Sequence, residues 1–137
     1  MIARFADTSY FLALLIPNDE NHAAAVRLSA WTGPLVTTDW VLVETGNFLA
    51  PQQSRRIFPQ FVRAMVAEPR ITVVPASLKI LQRGLELYES RPDKDWSLTD
   101  CTSFIVMSDK GIADALSADH HFEQAGFTIL LNDRIQA

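Results

Sequence analysis

A chain of 137 residues, 48% apolar and with a single cysteine, is long enough to build one domain around its own core without disulfides or a structural metal. Its net charge of −4 excludes a broadly basic surface of the kind that attracts nucleic acid everywhere, so any polyanion must be gripped locally. There is no Cys/His quartet at zinc-finger spacing, no apolar run of membrane-spanning length, and no charged leader between Met1 and the first strand-like segment, which together predict a soluble protein of the reducing cytoplasm.

Residues 2–6 read as a short strand that ends at the polar triplet Asp7, Thr8 and Ser9. A buried helix over 10–16 follows and is stopped by Pro17 and Asn18; residues 22–31 form a second helix, and Gly33 and Pro34 turn the chain into a strand at 35–37. Thr38 or Asp39 caps a third helix over 40–50, ended by Pro51. Helical spacing of Ile57, Phe58, Phe61, Val62, Met65 and Val66 predicts a helix over 54–68, with Pro59 in its first turn or at a kink. The β-branched run 71–74, closed by Pro75, is the clearest strand. Ser77 caps a helix to about Ser90; a polar loop over 91–95 precedes another helix over 98–110, stopped by Gly111. Strands at 113–116 and 128–131 flank a helical turn at 121–125.

Strands alternating with helices from end to end predict an α/β domain whose central, mainly parallel sheet of four to five strands is covered on both faces. With no repeat, linker or low-complexity segment, residues 1–137 are read as one domain. Ligands of such sheets bind beyond the carboxyl ends of the strands, which directs attention to polar residues that immediately follow a strand.

Four carboxylates stand out. Asp7 closes the first strand and Asp119 follows the strand at 113–116, so parallel pairing would put both at one edge of the sheet. Glu44 lies on the helical stripe Val41, Glu44, Phe48 and is expected to point inward; the segment 40–53 contains no Lys or Arg to neutralise it. Asp100 is the third residue of the helix that follows Ser97, near the positive helix end. Carboxylates converging on one pocket would repel one another unless cations fill it, and oxygen-only donors suit Mg²⁺ or Mn²⁺ rather than zinc. Such ions lower the pKa of water and stabilise a leaving oxygen, which is the chemistry of phosphodiester hydrolysis.

Plainer roles compete with this reading. Asp7 and Asp100 are also placed as helix caps, with Trp96 and Cys101 as the hydrophobic staple beside Ser97 and Asp100, and Asp119 also suits an ordinary turn. Cap and ligand are compatible, since one carboxylate oxygen can accept backbone N–H bonds while the other faces a metal. His120 and His121 are read as solvated and Cys101 as core packing. Thr8, Ser9 and Thr99 adjoin the acids and are candidates to orient them. Arg55, Arg56, Arg63, Lys79, Arg83, Arg91 and Lys94 are either solvated helix faces or guides for a nucleic-acid backbone.

Asp-Thr-Ser at 7–9, Glu44 within the third helix, Ser-Leu-Thr-Asp-Cys at 97–101, and Asp-His-His-Phe at 119–122 with Gly126 before the last strand occur in that order over nearly the whole chain. In this the chain resembles the PIN-domain family, and within it the VapC-like toxin ribonucleases. The resemblance implies a three-layer α/β/α sandwich, a metal site made of Asp7, Glu44, Asp100 and Asp119, and Mg²⁺- or Mn²⁺-dependent endoribonuclease activity on RNA. It also implies a homodimer and a small VapB-like antitoxin that lays a helix in an apolar groove and pushes a basic side chain into the acidic pocket. Many relatives carry a further acidic or Asn residue near the fourth acid, where Ala118 and His120 stand here, leaving one or two ions open. A PIN nuclease outside toxin systems is the alternative enzyme. A non-catalytic PIN scaffold would be expected to have lost carboxylates that are all present here, and a phosphate-accepting receiver would need a second acid beside Asp7, where Thr8 stands.

Overall fold

The computed structural model describes residues 2–132, so Met1 and residues 133–137 of the expected 1–137 domain lie outside the described residues. Five strands, β1 (Arg4–Ala6), β2 (Leu35–Thr38), β3 (Ile71–Val74), β4 (Asp114–Leu116) and β5 (Thr128–Ile129), form one sheet in the order β3-β2-β1-β4-β5. All four neighbouring pairs are parallel, with Phe5 opposite Val36 on one side and opposite Ala115 on the other. The flanking helices are α1 (Thr8–Leu15), α2 (His22–Leu28), α3 (Asp39–Phe48), α4 (Ile57–Val66), α5 (Leu78–Ser90), α6 (Leu98–Lys110) and α7 (His120–Gln124).

Strands are added outward from β1 to β2 to β3, and the chain then returns across the sheet to place β4 on the other side of β1. Right-handed crossovers put the helices of the first half and those of the second half on opposite faces. The reversal opens a crevice between the carboxyl ends of β1 and β4, the place where open parallel sheets bind ligands. Among the described residues no helix is long and apolar enough to cross a membrane.

Local chemistry explains the boundaries. The Thr38 hydroxyl accepts the Val41 N–H at 3.1 Å, so α3 starts at Asp39, one residue earlier than its apolar pattern suggests. Ser77 caps α5 through the Ile80 N–H, and Ser97 with Asp100 forms a reciprocal capping box at the start of α6. Gly111 ends α6 with φ 66°, a left-handed conformation that only glycine adopts without strain. Pro59 sits in the first turn of α4, where its missing N–H has no intrahelical partner to lose. Strand β1 is shorter than its apolar run, because its pairing starts at Arg4, opposite the first residues of β2 and β4, and β5 is regular only over Thr128–Ile129.

The core is aromatic at one end. Phe104 packs edge-on against Trp96 and Phe122 at centroid separations of 5.1 and 4.9 Å, and Phe122 lies 6.3 Å from Phe5. These contacts tie α6 and α7 to β1. Trp96 and Cys101 are both buried, and the indole N–H donates to Gln124 at 3.0 Å.

The most extensive helix contact joins α5 to α6, and Gly84 makes it possible. A Cβ at position 84 would meet Cγ2 of the fully buried Thr102 at 2.9 Å, and the Thr102 rotamer is held by its hydroxyl bond to the Thr99 carbonyl at 2.8 Å. Gly84→Ala should therefore destabilise the protein by about 1–2 kcal/mol despite a helix-propensity gain of about 1 kcal/mol. Thermal melts test this; a raised Tm would show that the helix pair yields easily.

Candidate metal centre

Asp7 leaves β1 at the crevice. Its backbone N–H bonds the Leu116 carbonyl at 3.1 Å, continuing the β1–β4 ladder and bringing Ser117 abreast. The Asp7 Oδ2 accepts hydroxyl bonds from Ser9 at 3.0 Å and from Ser117 at 2.9 Å. Those hydroxyls are held in turn: Ser9 accepts the Ala118 N–H at 3.1 Å, and Ser117 accepts the Asp119 N–H at 3.0 Å. Asp7 is thus fixed from both strands of the switch point.

Asp100 is delivered by the capping box. Its Oδ2 accepts the Ser97 N–H at 3.1 Å, and Nδ1 of His121 lies 3.1 Å from the same oxygen. The same Nδ1 lies 3.3 Å from Oδ1 of Asp119, which also accepts the His121 backbone N–H at 2.9 Å. His121 therefore bridges two of the acids. Oδ1 of Asp100 and Oδ2 of Asp119 receive no hydrogen bond among the described residues. Each carboxylate thus has one oxygen tied to the protein and one left over.

Three of the four expected acids are drawn together by these bonds. Glu44 stands differently: it is half-buried and has no hydrogen-bond or ion-pair partner among the described residues. Its helix, α3, packs against both α1 and α6, the helices that begin beside Asp7 and at Ser97. The inward stripe Val41, Glu44, Phe48 is not what the fold buries. Val41 is buried, but Phe48 is 63% exposed, and the buried row is Val41, Thr45 and Leu49. Spacing at i, i+4, i+8 follows the side that meets the sheet, which rotates Glu44 to the margin of that face.

Of the polar neighbours, Ser9 contacts Asp7 directly, whereas the Thr8 hydroxyl is buried with no partner and the Thr99 side chain makes no hydrogen bond among the described residues. Ser103, one helical turn beyond Asp100, is a second buried hydroxyl without a partner. Two contributors escape a reading of the sequence. Ser117 is a small polar residue directly after a strand, the same signal that marks Asp7. His121 faces two acids instead of solvent, because α7 begins at His120 and turns position 121 back toward α6. His120 is largely exposed, although ligand atoms of Asp119, His120 and His121 lie within 4.8 Å of one another.

The electrostatics are those of acids lacking a cation. Burial pushes the Asp7 carboxyl up to about 7, and the charge of Asp100 pushes the same way, against the Ser117 and Ser9 hydroxyls and the Thr8 backbone. Asp100 is likewise raised, first by burial and then by Asp119, against the Ser97 N–H and His121. No lysine or arginine acts on either group. Carboxylates with spare oxygens and no lysine or arginine to neutralise them fit a hard divalent cation. Cys101, buried beside Asp100, has its thiol pushed up to about 11, chiefly by burial, which removes it as a nucleophile.

An acid with a folded pKa near 7 and an unfolded value near 3.8 makes the metal-free protein lose stability as pH rises between those values; below them both states are protonated and nothing is lost. Asp7→Asn keeps an acceptor for the two hydroxyls but removes the charge. The variant should match the wild type at about pH 4 and exceed it by on the order of 1–3 kcal/mol at about pH 8 without metal, while losing any stabilisation by Mn²⁺. Chemical denaturation at the two pH values, with and without Mn²⁺, checks both signs.

The PIN-domain family profile matches residues 4–134. Two curated relatives, the 23S rRNA-specific endonucleases VapC20 of Mycobacterium tuberculosis strains CDC 1551 / Oshkosh and ATCC 25618 / H37Rv, are each 35% identical over 127 residues, covering 90% of this chain and 94% of theirs. The crystal structure of Mycobacterium tuberculosis VapC20, described as a sarcin-ricin loop cleaving toxin, superposes with a TM-score of 0.84 at 30% identity, over 90% of this chain and 95% of that one. Rickettsia felis VapBC2, solved bound to a DNA fragment from its promoter, shares the fold at a TM-score of 0.66 and 11% identity, over 93% of this chain and 97% of that one. An all-parallel five-stranded sheet with acids at its switch point, a profile match spanning almost every described residue and a homologue at 35% identity lead to one conclusion: this chain belongs to the PIN-domain family.

Proposed function

We propose that the chain is a divalent-metal-dependent endoribonuclease and the toxin half of a toxin–antitoxin pair, acting in the cytoplasm on RNA, with 23S rRNA as the first substrate to test. The observation that carries the reading is the group of three aspartates at the β1–β4 switch point, each with one oxygen anchored by the protein and no lysine or arginine acting on Asp7 or Asp100. Homology to the VapC20 endonucleases supports the substrate class. A small VapB-like antitoxin and assembly as a homodimer belong to the same reading.

Asp7, Asp100 and Asp119 would hold Mg²⁺ or Mn²⁺ through their unengaged oxygens, with Glu44 approaching from α3. Bound there, such an ion supplies a lowered pKa for water and neutralises the oxygens of a scissile phosphate. The protein's part is placement. Ser9 and Ser117 fix the rotamer of Asp7, and the capping box holds Asp100 while the helix N-terminus favours its charged form. His121 aligns Asp100 with Asp119 through one ring nitrogen. With the acids pinned before substrate arrives, little reorganisation remains for the reaction itself.

Incubating the protein with ribosomes and total RNA, with Mg²⁺ or with chelator, and mapping new ends tests the proposal; one discrete metal-dependent cut supports it, and intact RNA under every condition defeats it. Asp100→Asn, which still accepts the Ser97 N–H, should remove cleavage and leave the fold intact; wild-type rates in Mg²⁺ would take Asp100 out of the mechanism. His121→Phe should weaken Mn²⁺ binding roughly 10- to 100-fold, and His121→Asn, which carries an N–H near the position of Nδ1, should recover most of it. Calorimetric titration separates the two variants, and equal affinities would leave His121 with packing alone.

A further inference from the structure

Several of the basic residues are paired on the surface. Arg83 makes a bidentate pair with Asp109 at 2.6 and 2.9 Å, Arg91 does the same with Asp93 at 3.0 and 3.0 Å, and Lys94 lies 4.0 Å from that same aspartate. Arg55, Arg56 and Arg63 are exposed and have no acidic partner among the described residues. The segment 45–67 holds these three arginines and no aspartate or glutamate, in a chain whose net charge is −4. Three exposed guanidinium groups without an acidic partner among the described residues therefore share α4 and the turn before it.

The helix that carries this charge packs on α3, which in turn packs on α1 and α6. Arg55 lines two neighbouring recesses. One, of about 600 Å³, is bounded by Gln52, Arg56 and Pro59. The other, of about 390 Å³, runs along α3 to Val43, the residue next to Glu44, with Phe58 on its floor. A side chain at Gly46 would put its Cβ 2.8 Å from the Phe58 ring, so glycine there lets the ring lie against α3. Val43, which lines this groove, is 62% exposed, and Phe48, one helical turn after Glu44 on α3, is 63% exposed. Arg55 is braced by a 2.9 Å bond from Nη1 to the Ala50 carbonyl, leaving its other donors outward.

We propose that the α3–α4 surface is the track on which single-stranded RNA enters the acidic site, with Arg55, Arg56 and Arg63 on its phosphates and Phe48 stacked on an unpaired base. The inference rests on the ribonuclease reading and names where that substrate lies. Exposed aromatic and arginine side chains interleaved along a groove are the physical signature of single-strand binding, in which every base offers a π-face and every phosphate a charge. A helix of a protein partner is the rival occupant of the groove floor, and the three guanidinium groups beside it favour a polyanion over a purely apolar helix. The track also resolves a conflict of charge: a polyanion is held beside a cluster of acids by cations placed just outside it.

The test uses the full chain carrying Asp100→Asn in Mg²⁺ and a short fluorescein-labelled single-stranded RNA, with anisotropy measured between about 50 and 200 mM salt. Adding Arg55→Gln, Arg56→Gln and Arg63→Gln together should flatten the log Kd against log salt slope by about 2, and Phe48→Ala should weaken binding roughly 5- to 150-fold. A control removing the charges of Arg83, Arg91 and Lys94 should leave the slope in place. All seven side chains altered on the track and in the control are exposed or half-buried, so unchanged melting curves verify folding. If the α4 variant binds as the background does, or if the control loses as much, the track is wrong while the ribonuclease reading stands. If the background protein binds no RNA at any salt, both fall.

Discussion

Parallel pairing of β1 with β4 is the constraint on which the site depends. Ala6 lies opposite Leu116, and the bond from the Asp7 N–H to the Leu116 carbonyl extends the ladder one residue past the strand. That single step places Asp7 beside Ser117, whose hydroxyl grips the carboxylate and whose position sets the start of α7 through the Asp119 N–H. Because the two strands run the same way, both chains leave the sheet at the same edge. A slip of one residue would turn Asp7 to the opposite face of the sheet and dissolve the arrangement.

The site is electrostatically expensive for the protein that carries it. Asp7 and Asp100 are buried, each is pushed up by burial and then by a neighbouring aspartate, Asp100 acting on Asp7 and Asp119 on Asp100, and they have only hydroxyls, one backbone N–H each and an imidazole for company. Charged groups in such a setting shift toward the neutral form unless a cation compensates them. The fold tolerates the tension by fixing each acid through an element needed for structure anyway: a strand end, a helix cap and a short helix start. A site built on these elements is rigid, and it stays assembled because the aromatic cluster of Phe5, Trp96, Phe104 and Phe122 joins the same three segments from beneath.

Charge is segregated elsewhere on the molecule as well. Arg83 and Arg91 are tied into surface ion pairs with aspartates, whereas Arg55, Arg56 and Arg63 have no acidic partner among the described residues.

Local physics let the amino-acid order determine a good deal by itself. The segments Ile71–Val74, Leu78–Ser90 and Leu98–Lys110 are legible residue for residue, because β-branched runs, serine caps and a C-terminal glycine act within a few residues of one another. The same locality made Asp7 and Asp100 readable, since each sits at an element boundary marked by its neighbours. Tertiary structure alone decided which face of α3 is buried, and so the half-exposed position of Glu44, because helical spacing admits two apolar faces and only the sheet selects one. It also decided that His121 meets Asp100 across 21 residues and Ser117 meets Asp7 across 110. Contacts at such separations depend on the return of the chain across the sheet, and no local pattern records that path.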